Sequence, residues 1–289
     1  MTNIGRESGA GAEAPGGEAP EGMITDLAGT LTYAKHLALD QLLSAQRPVS
    51  DSDQEMLFIV VHQTTELWMK LLLHEIGVAV AHLQRGEVAA ANRRLGRCST
   101  VLSHMVHAWD VVATLTPNDF LTFRHRLETG SGLQSYQYRL IEFALGAKNP
   151  SFLLPHRHTP EIHAELEAAM ARPGLYDVAL RLLARRGLPV SPECLERDVR
   201  RSHPPDASVA AAWLAVYRDP EAYADLFALA EQLVDLEYRF QQWRVHHLKT
   251  VERVIGFKRG TGGTSGVPYL RGVLDRLFFP ELWEIRTKL

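Results

Sequence analysis

Apolar residues recur along most of this chain at intervals of three and four, which is the spacing of one face of an α-helix. The pattern begins near Thr25 and continues to about residue 256, without a convincing run of alternating apolar and polar residues typical of a strand. It therefore predicts an all-α fold. The predicted helices cover residues 31–45, 53–84, 87–115, 118–127, 133–147, 160–171, 174–186, 191–200, 208–216 and 220–256.

Two segments depart from this pattern. Residues 1–22 are rich in Gly, Ala, Glu and Pro and carry almost no large apolar residue, which is typical of a disordered tail. Residues 148–220 hold more Pro and Arg and shorter predicted helices, as expected of a helical insertion on a larger helical core. We therefore expect a tail at 1–22 and a single all-α domain at 23–289 that includes this insertion.

The predicted helix 53–84 is apolar nearly all round, so we expect it to lie inside the bundle. One stripe along it has helical spacing and consists of Phe58, His62, Glu66, Met69 and Leu73. A histidine on such a stripe can be a core residue whose ring is hydrogen-bonded to a carbonyl or to Glu66. On the stripe alone this is the favoured interpretation, and a histidine that faces a ligand site is the alternative.

The stretch 240–266 is interpreted as the end of a long helix followed by a glycine-rich loop, and it carries two adjacent histidines. On a helical period His247 shares a face with Phe240, Trp243, Val251 and Val254, whereas His246 falls about 100° away on a polar face. Gly256 ends the helix. Glycines at 260, 262, 263 and 266 then allow the backbone to approach a ligand closely. We expect a ligand site at His247, beside this loop.

Composition limits the classes of function. The 289 residues carry a formal net charge of −3, so the chain has no basic surface of the kind that binds nucleic acid. The longest uninterrupted apolar run, 56–61, is too short to cross a bilayer, and no secretory signal is recognisable. Two cysteines, Cys98 and Cys194, are too few for a disulfide framework. These features predict a soluble, cytoplasmic protein.

Several catalytic motifs are missing from the sequence. A di-iron carboxylate bundle needs Glu-x-x-His on two helices, and the chain contains none. His74-Glu75 begins like a zinc-protease motif, but Val78 stands where the second His would be. Four further histidines are interpreted as structural or solvated: His104, His107, His156 and His158. Two inward histidines on different helices, an arginine and a glycine-rich loop remain, which suits a heme with one axial histidine and a second histidine over its other face.

Five motifs, in this order along the chain, resemble the tryptophan 2,3-dioxygenase family of heme enzymes. They are LFIVVHQTTELWMKLLLHEI, LTPNDFLTFRHRLE, SGLQSYQYRLIEF, WRVHHLKTVERVIG and GTGGTSGVPYLR. The resemblance covers most of residues 25–147 and 222–289, and nothing is carried over for 148–220. It implies a heme-containing helical bundle with heme b as cofactor and O2 as co-substrate. The implied reaction opens the indole ring of L-tryptophan across C2–C3 to give N-formylkynurenine, in tryptophan catabolism by the kynurenine pathway.

The resemblance also implies a role for individual residues. His247 matches the proximal ligand of the heme iron, and His62 matches a catalytic distal histidine that faces the indole N–H of the substrate. Arg124 matches the residue that binds the substrate carboxylate, a task that suits a planar guanidinium. The remaining matches are Phe58 and Phe120 in the indole pocket, Thr261 against the substrate ammonium, and Ser131 and Gly132 in a loop against the heme.

Some positions depart from the family. The first helix reads Tyr33-Ala34-Lys35-His36-Leu37 where similar enzymes commonly have Tyr-Gly-x-Tyr-Leu, and Leu133 replaces an aromatic residue. These departures leave open a second reaction, insertion of one oxygen atom into tryptophan, a methylated tryptophan or an indole in specialised metabolism. A non-catalytic heme-binding or sensing protein is a more distant alternative, and Arg124 argues against it.

The resemblance finally implies an assembly. Similar enzymes are homotetramers in which the N-terminal helix reaches the pocket of a neighbouring subunit. We therefore expect a homotetramer with Tyr33, His36 and Leu37 near the neighbouring subunit's site.

Overall fold

The structure, a computed structural model, describes residue 20 and residues 22–289. The disordered tail predicted at 1–22 lies almost wholly outside these residues. The described backbone forms two compact units, one that ends at residue 46 and one at 47–289.

The first unit holds two short helices where one continuous helix at 31–45 was predicted. Helix α1 spans Tyr33–Leu37 and α2 spans Leu39–Leu42. Between them Ala38 has a φ of 49°, and its N–H bonds back to the carbonyls of Ala34 and Lys35. The left-handed region is uncommon for a residue with a Cβ, and periodicity gives no sign of it. The prediction of an unbroken helix is therefore wrong at Ala38.

The second unit is all-α, as predicted, and no strand occurs in residues 47–289. Short 3-10 turns at 125–127, 132–134, 150–156 and 285–287 connect or extend the helices. The helices are α3 (Gln54–Arg85), α4 (Val88–Val112), α5 (Pro117–Arg124), α6 (Tyr136–Leu145), α7 (Pro160–Met170), α8 (Leu175–Arg185), α9 (Pro192–Glu196), α10 (Ala207–Arg218), α11 (Ala224–Ile255), α12 (Val267–Leu274) and α13 (Pro280–Glu284).

Three long helices, α3, α4 and α11, carry most of the core. Helices α3 and α4 form a hairpin around Gly86, whose φ of 79° ends α3. The buried carboxylate of Glu75 on α3 pairs with Arg94 and Arg97 of α4 at 3.2 and 2.7 Å. Apolar side chains fill the space between the three helices, among them Leu72, Ile76, Leu95, Leu102, Leu236 and Phe240. The hairpin and α11 together form the frame on which the site is built.

The first half of α3 is more exposed than its sequence predicted. Met56, Val60, Leu67 and Trp68 are between 36% and 48% exposed, so the expectation of a helix buried all round is wrong for this half. By length and mean hydropathy (1.2) α3 would also qualify as a membrane span. Core helices of globular proteins meet the same criterion, and α3 packs along α4 in this fold.

Helices α8, α9 and α10 of the segment 148–220 contribute to the same core, and α7 packs against α6 in a smaller apolar cluster. Tyr176 of α8 and Trp213 of α10 are fully buried, and Trp213 Nε1 donates to the Tyr176 hydroxyl at 3.1 Å. That hydroxyl donates to Glu281 of α13 at 2.8 Å, and His203 Nε2 lies 2.6 Å from the other oxygen of the same carboxylate. This buried polar network fastens the segment to the C-terminal helix.

The sequence did not predict α12 and α13, and it predicted a longer α9. Both missed helices are short, and each starts with a proline in its first turn. Both are held by contacts distant in sequence. The buried Glu237 of α11 accepts hydrogen bonds from the N–H groups of Phe278 and Phe279 and from Trp283 Nε1 at α13, and Arg244 Nη1 of α11 donates to the Val273 carbonyl in α12. Helix α9 ends at 196 instead of 200 because Arg197 turns to an extended conformation, with its side chain paired to a buried aspartate.

Candidate active site

One cavity of about 270 Å³ in the second unit is bordered by α3, α4, α5, α6, α11 and α12 and by the loops 130–135 and 260–266. All eight residues that the sequence placed at a site line this cavity. They are Phe58, His62, Phe120, Arg124, Ser131, Gly132, His247 and Thr261. The fold therefore brings these side chains together, while the role of each stays a prediction.

His62 lies on the α3 wall of the cavity. Its Nδ1 is 2.7 Å from the carbonyl oxygen of Phe58. Because a carbonyl only accepts, Nδ1 carries the ring proton and Nε2 keeps its lone pair. No hydrogen bond to Nε2 occurs among the described residues. Burial lowers the pKa of His62, against smaller opposing effects of the Phe58 carbonyl and Glu66, so the neutral ring offers an acceptor nitrogen.

His247 lines the cavity from α11, and the adjacent His246 is exposed, so the predicted separation of the two rings is observed. Burial, with a smaller effect of His62, lowers the pKa of His247 to about 4. The imidazole is therefore neutral at pH 7, which is the form that binds a metal. None of the described residues hydrogen-bonds either nitrogen of its ring.

Two indole rings pack on His247. Trp109 of α4 stacks on the imidazole with centroids 4.6 Å apart and planes 14° apart. Trp243, one turn earlier on α11, contacts it at 5.7 Å and 35°. Trp109 also meets His62 edge-on at 6.3 Å, so it contacts both histidines. The Nε1 atoms of Trp109 and Trp243 are buried and have no hydrogen-bond partner within the described part of the chain.

Arg124 is the last residue of α5. This helix starts with a capping box in which Thr116 and Asp119 satisfy each other's backbone N–H, with Pro117 in the first turn. Arg124 Nη2 donates to the carbonyl of Arg259 at 2.7 Å. Its Nε is buried without a partner, and no described carboxylate forms an ion pair with it. The guanidinium therefore has unused donors at the cavity wall.

Three phenylalanines form an apolar wall beside His62. Phe58 lies 5.8 Å from Phe120 and 5.5 Å from Phe123, and the last two meet edge to face at 5.1 Å. Phe58 also contacts the His62 ring, with centroids 4.0 Å apart. This wall is suited to a flat aromatic ligand, because aromatic rings favour offset or edge-to-face contacts at such distances.

Two loops touch each other at the edge of the cavity. Thr261 Oγ1 donates to the carbonyl of Gly130. Gly262 approaches Ser131 so closely that a Cβ at position 262 would lie 2.8 Å from the Ser131 Cβ. A glycine is needed there because any side chain would push the loops apart.

In another wall of the cavity, two buried arginines pair with the same carboxylate, that of Glu142. Arg139 Nη1 lies 2.6 Å from Glu142, and Arg244 Nη2 lies 3.1 Å from the other oxygen of Glu142. Arg244 Nε also donates to the hydroxyl of Tyr138 at 3.3 Å. Both arginines and Tyr138 line the cavity. Since one carboxylate balances one guanidinium, this wall carries a positive charge in excess.

Sequence reasoning missed several of these cavity residues. Trp109 could have been found, because it follows the buried Met105 by four residues on the same face of α4. Arg139 and Arg244 could not. The Arg139–Glu142 pair is an i, i+3 pair of the kind expected on a solvated helix face, and Arg244 is expected in water unless its partner is known. That partner, Glu142, lies about a hundred positions from Arg244 in the chain.

The four histidines interpreted as structural or solvated do not line the cavity. His104, His107 and His158 are exposed, and His156 is buried. Among the described residues, no group of three or more His, Cys, Asp or Glu side chains is placed to hold a metal ion. A metal that arrives in a porphyrin needs only an axial protein ligand, and His247 and His62 are the imidazoles on the cavity wall.

Comparison with known proteins identifies the family of this chain. The family model described as "Tryptophan 2,3-dioxygenase" matches residues 19–289. A tryptophan 2,3-dioxygenase of Bacillus thuringiensis (strain Al Hakam) is 50% identical over 269 residues, which are 93% of this chain and 96% of the relative. One of Burkholderia pseudomallei (strain K96243) is 53% identical over 264 residues, covering 91% and 86%. One of Polaromonas naphthalenivorans (strain CJ2) is 52% identical, covering 91% and 94%. The chain belongs to the tryptophan 2,3-dioxygenase family.

Proposed function

We propose that this protein is a heme-dependent oxygenase of L-tryptophan that adds both atoms of O2 across indole C2–C3 and gives N-formylkynurenine. The relatives named above carry the name of this dioxygenase and align with at least 91% of the chain. The observation that carries the proposal is the meeting of His62, His247 and Arg124 on one cavity that is otherwise largely apolar.

The cavity residues fit a heme. His247 offers a neutral imidazole that no described residue hydrogen-bonds, and the indole of Trp109 contributes a flat apolar surface beside it. The positive charge in excess around Glu142 suits the carboxylates that heme b carries. We assign His247 as the iron ligand and Ser131 and Gly132 as loop contacts. When bound, the heme supplies the oxygen chemistry.

The remaining groups fit an amino acid with an indole side chain. Arg124 has free donors for a carboxylate, and a guanidinium can bind it through two parallel hydrogen bonds. The hydroxyl oxygen of Thr261 can accept from the ammonium group. Phe58 and Phe120 give the indole an apolar wall, and the unprotonated Nε2 of His62 accepts its N–H.

The chain then acts mainly by orientation. Contacts at the carboxylate, the ammonium and the indole N–H fix the substrate at both ends. Most of the entropy cost of ordering the substrate is therefore met during binding and does not add to the barrier of the reaction step. The apolar wall excludes water. Because the pKa of His62 is lowered by burial, its Nε2 is a weak base, and we assign it to hold the indole N–H in place instead of removing the proton.

The alternative reaction, transfer of one oxygen atom to tryptophan or a methylated tryptophan, is not favoured. Its support was the presence of His36 and Leu133 where similar enzymes have aromatic residues. Leu133 lines the cavity and contributes to its shape, but one altered contact changes the choice between related substrates by only about 1–3 kcal/mol. The three relatives named above are all called dioxygenases.

We also propose that residues 23–289 act as one domain within a homotetramer, with Tyr33, His36 and Leu37 near the neighbouring subunit's site. Tyr33 is 76% exposed, and Met56, Val60 and Leu67 are exposed apolar side chains of α3. Exposed apolar surface of this extent is typical of a protein interface. Sedimentation should give a tetramer; a fully active monomer would contradict the assembly.

A cytoplasmic location fits the two free, buried cysteines, Cys98 and Cys194.

The proposal is tested by replacing each of the adjacent histidines by alanine. His247→Ala should lose heme and all tryptophan turnover, because it removes the iron ligand. His246→Ala is the matched control, since its ring is exposed on the same turn, and it should keep both. Heme content is measured from the absorption spectrum of the purified protein. A His247→Ala variant with normal heme content and colour would refute the assignment.

A further inference from the structure

We propose that Trp109, together with Trp243, fixes the ring plane of His247 and thereby sets how firmly this histidine holds the heme iron. The two tryptophans are positioning residues that act through His247. This inference rests on the proposed role of His247 as the iron ligand.

The three rings form one mutually packed group. Trp109 stacks on the imidazole at 4.6 Å and 14°, and Trp243 contacts it at 5.7 Å and 35°. The two indoles are themselves 5.7 Å apart. A near-parallel stack on one ring and a tilted contact with another restrict rotation of the His247 side chain, because each other orientation loses one of these contacts.

Both indoles are held by rigid parts of the fold. Trp243 is 7% exposed and packs on Tyr138 at 5.4 Å and on Phe240 at 6.1 Å. Trp109 lies on α4, which packs along α11 through a fully buried apolar face. Close-packed interiors resist displacement, so the two indoles keep their positions and restrict the imidazole that packs on them.

The His247 ring is oriented by stacking, whereas many metal-binding histidines are oriented by a hydrogen bond. A histidine that binds a metal is commonly oriented by donating its second ring N–H to a carbonyl, a carboxylate or water. None of the described residues accepts such a bond from His247, in contrast to His62, whose Nδ1 is bound to the Phe58 carbonyl. The contacts of the protein that orient the His247 ring are therefore the two indoles.

The fold provides a matched control for this contact. Trp68 of α3 stacks on His104 of α4 with centroids 5.3 Å apart and planes 11° apart. Both residues are exposed and neither lines the cavity. A change at Trp68 thus removes a tryptophan–histidine stack from the same helical hairpin without touching the site.

The test compares the variants Trp109→Phe, Trp109→Leu and Trp68→Leu as heme-loaded proteins. The readouts are the iron–histidine stretching band of the ferrous protein and the rate of heme transfer to an apo-globin acceptor. Trp109→Leu should shift or broaden the band and speed heme loss by roughly two- to twelvefold, the factor that corresponds to one aromatic pair. Trp109→Phe, which keeps an aromatic ring, should restore most of both values, and Trp68→Leu should change neither. Equal behaviour of Trp109→Leu and Trp68→Leu would overturn the proposal.

A second measurement is made if the Trp109→Leu protein does not retain heme. In a His247→Gly background, added imidazole replaces the missing ring, and its affinity for the heme-reconstituted site reports the indole contact directly. Affinity should fall by roughly two- to twelvefold when Trp109→Leu is added, and much less with Trp109→Phe. Unchanged affinity would refute the role of Trp109 while leaving His247 as the ligand. If His247→Gly binds heme normally without imidazole, the ligand assignment itself fails.

Discussion

The assignment of Arg124 to the substrate carboxylate predicts a large and selective effect of Arg124→Met. Methionine has similar length but no donor. In the structure one N–H of Nη2 donates to the Arg259 carbonyl, which leaves the second N–H of Nη2 and Nη1 as a pair of parallel donors for the carboxylate. Two hydrogen bonds to a charged group, at about 1.5 kcal/mol each, amount to roughly 3 kcal/mol. Such a loss lowers kcat/KM for tryptophan by a factor of about 150.

The assay measures kcat/KM for L-tryptophan and for tryptamine, which lacks the carboxylate. Since tryptamine never makes the two hydrogen bonds, Arg124→Met should affect it much less, by a factor of about three or below. Arg126→Met is the control, because Arg126 is exposed in the next turn and does not line the cavity. It should leave both substrates unaffected.

The reasoning fails if Arg124→Met slows both substrates by the same factor. That result would mean that Arg124 acts through its bond to Arg259 and the loop that carries it. The carboxylate would then be bound elsewhere.

Three further predictions concern other parts of the molecule. His62→Ala should keep its heme and raise KM for tryptophan roughly fivefold, because one hydrogen bond of about 1 kcal/mol is lost; an unchanged KM would remove His62 from the substrate site. Gly262→Ala should lower kcat/KM severalfold without a change in heme content, because its Cβ would collide with Ser131; normal kinetics would show that the two loops need not touch. The third prediction concerns pH. The Arg186 guanidinium lowers the pKa of Asp225 from its usual value of 3.8, so their ion pair stabilises the fold above about pH 4 and is lost as the pH falls through the lowered pKa. Asp225→Asn should therefore lower the free energy of unfolding by about 0.5–1 kcal/mol at pH 7, a modest figure for a partly exposed pair, and by less below pH 4; a difference that does not change with pH would contradict the pairing.

Helical periodicity was sufficient to predict a ligand site at His247, and it put His62 on an inward stripe of α3, whereas only the family resemblance assigned His62 to the site. His247 lies on the face of α11 that it shares with Phe240 and Trp243, and His246 is exposed, as the spacing required. His62 lies on its predicted stripe of α3 and lines the same cavity as His247. Such positions follow from local geometry, because residues three or four apart share a face whatever the rest of the chain does.

Other features could not be predicted from the spacing of apolar residues, because they depend on contacts between residues distant in sequence or on a local backbone conformation. Ala38 breaks the predicted first helix with a left-handed conformation, and no glycine or proline marks the position. Helix α13 is anchored by Glu237 of α11, and α12 accepts a hydrogen bond from Arg244 of α11. The charged wall of Arg139, Glu142 and Arg244 becomes evident only when α6 and α11 are side by side. In each case the deciding partner is far away in sequence or is a backbone state that periodicity does not report.

The central claim is that this cavity directs both atoms of O2 into tryptophan. It is tested most directly by the mass of the product formed when the reduced, heme-loaded protein is incubated with L-tryptophan and isotopically labelled O2. The expected product is N-formylkynurenine that carries two labelled oxygen atoms. A product with one labelled atom, or turnover only with a substituted indole, would contradict it and would direct attention to His36 and Leu133.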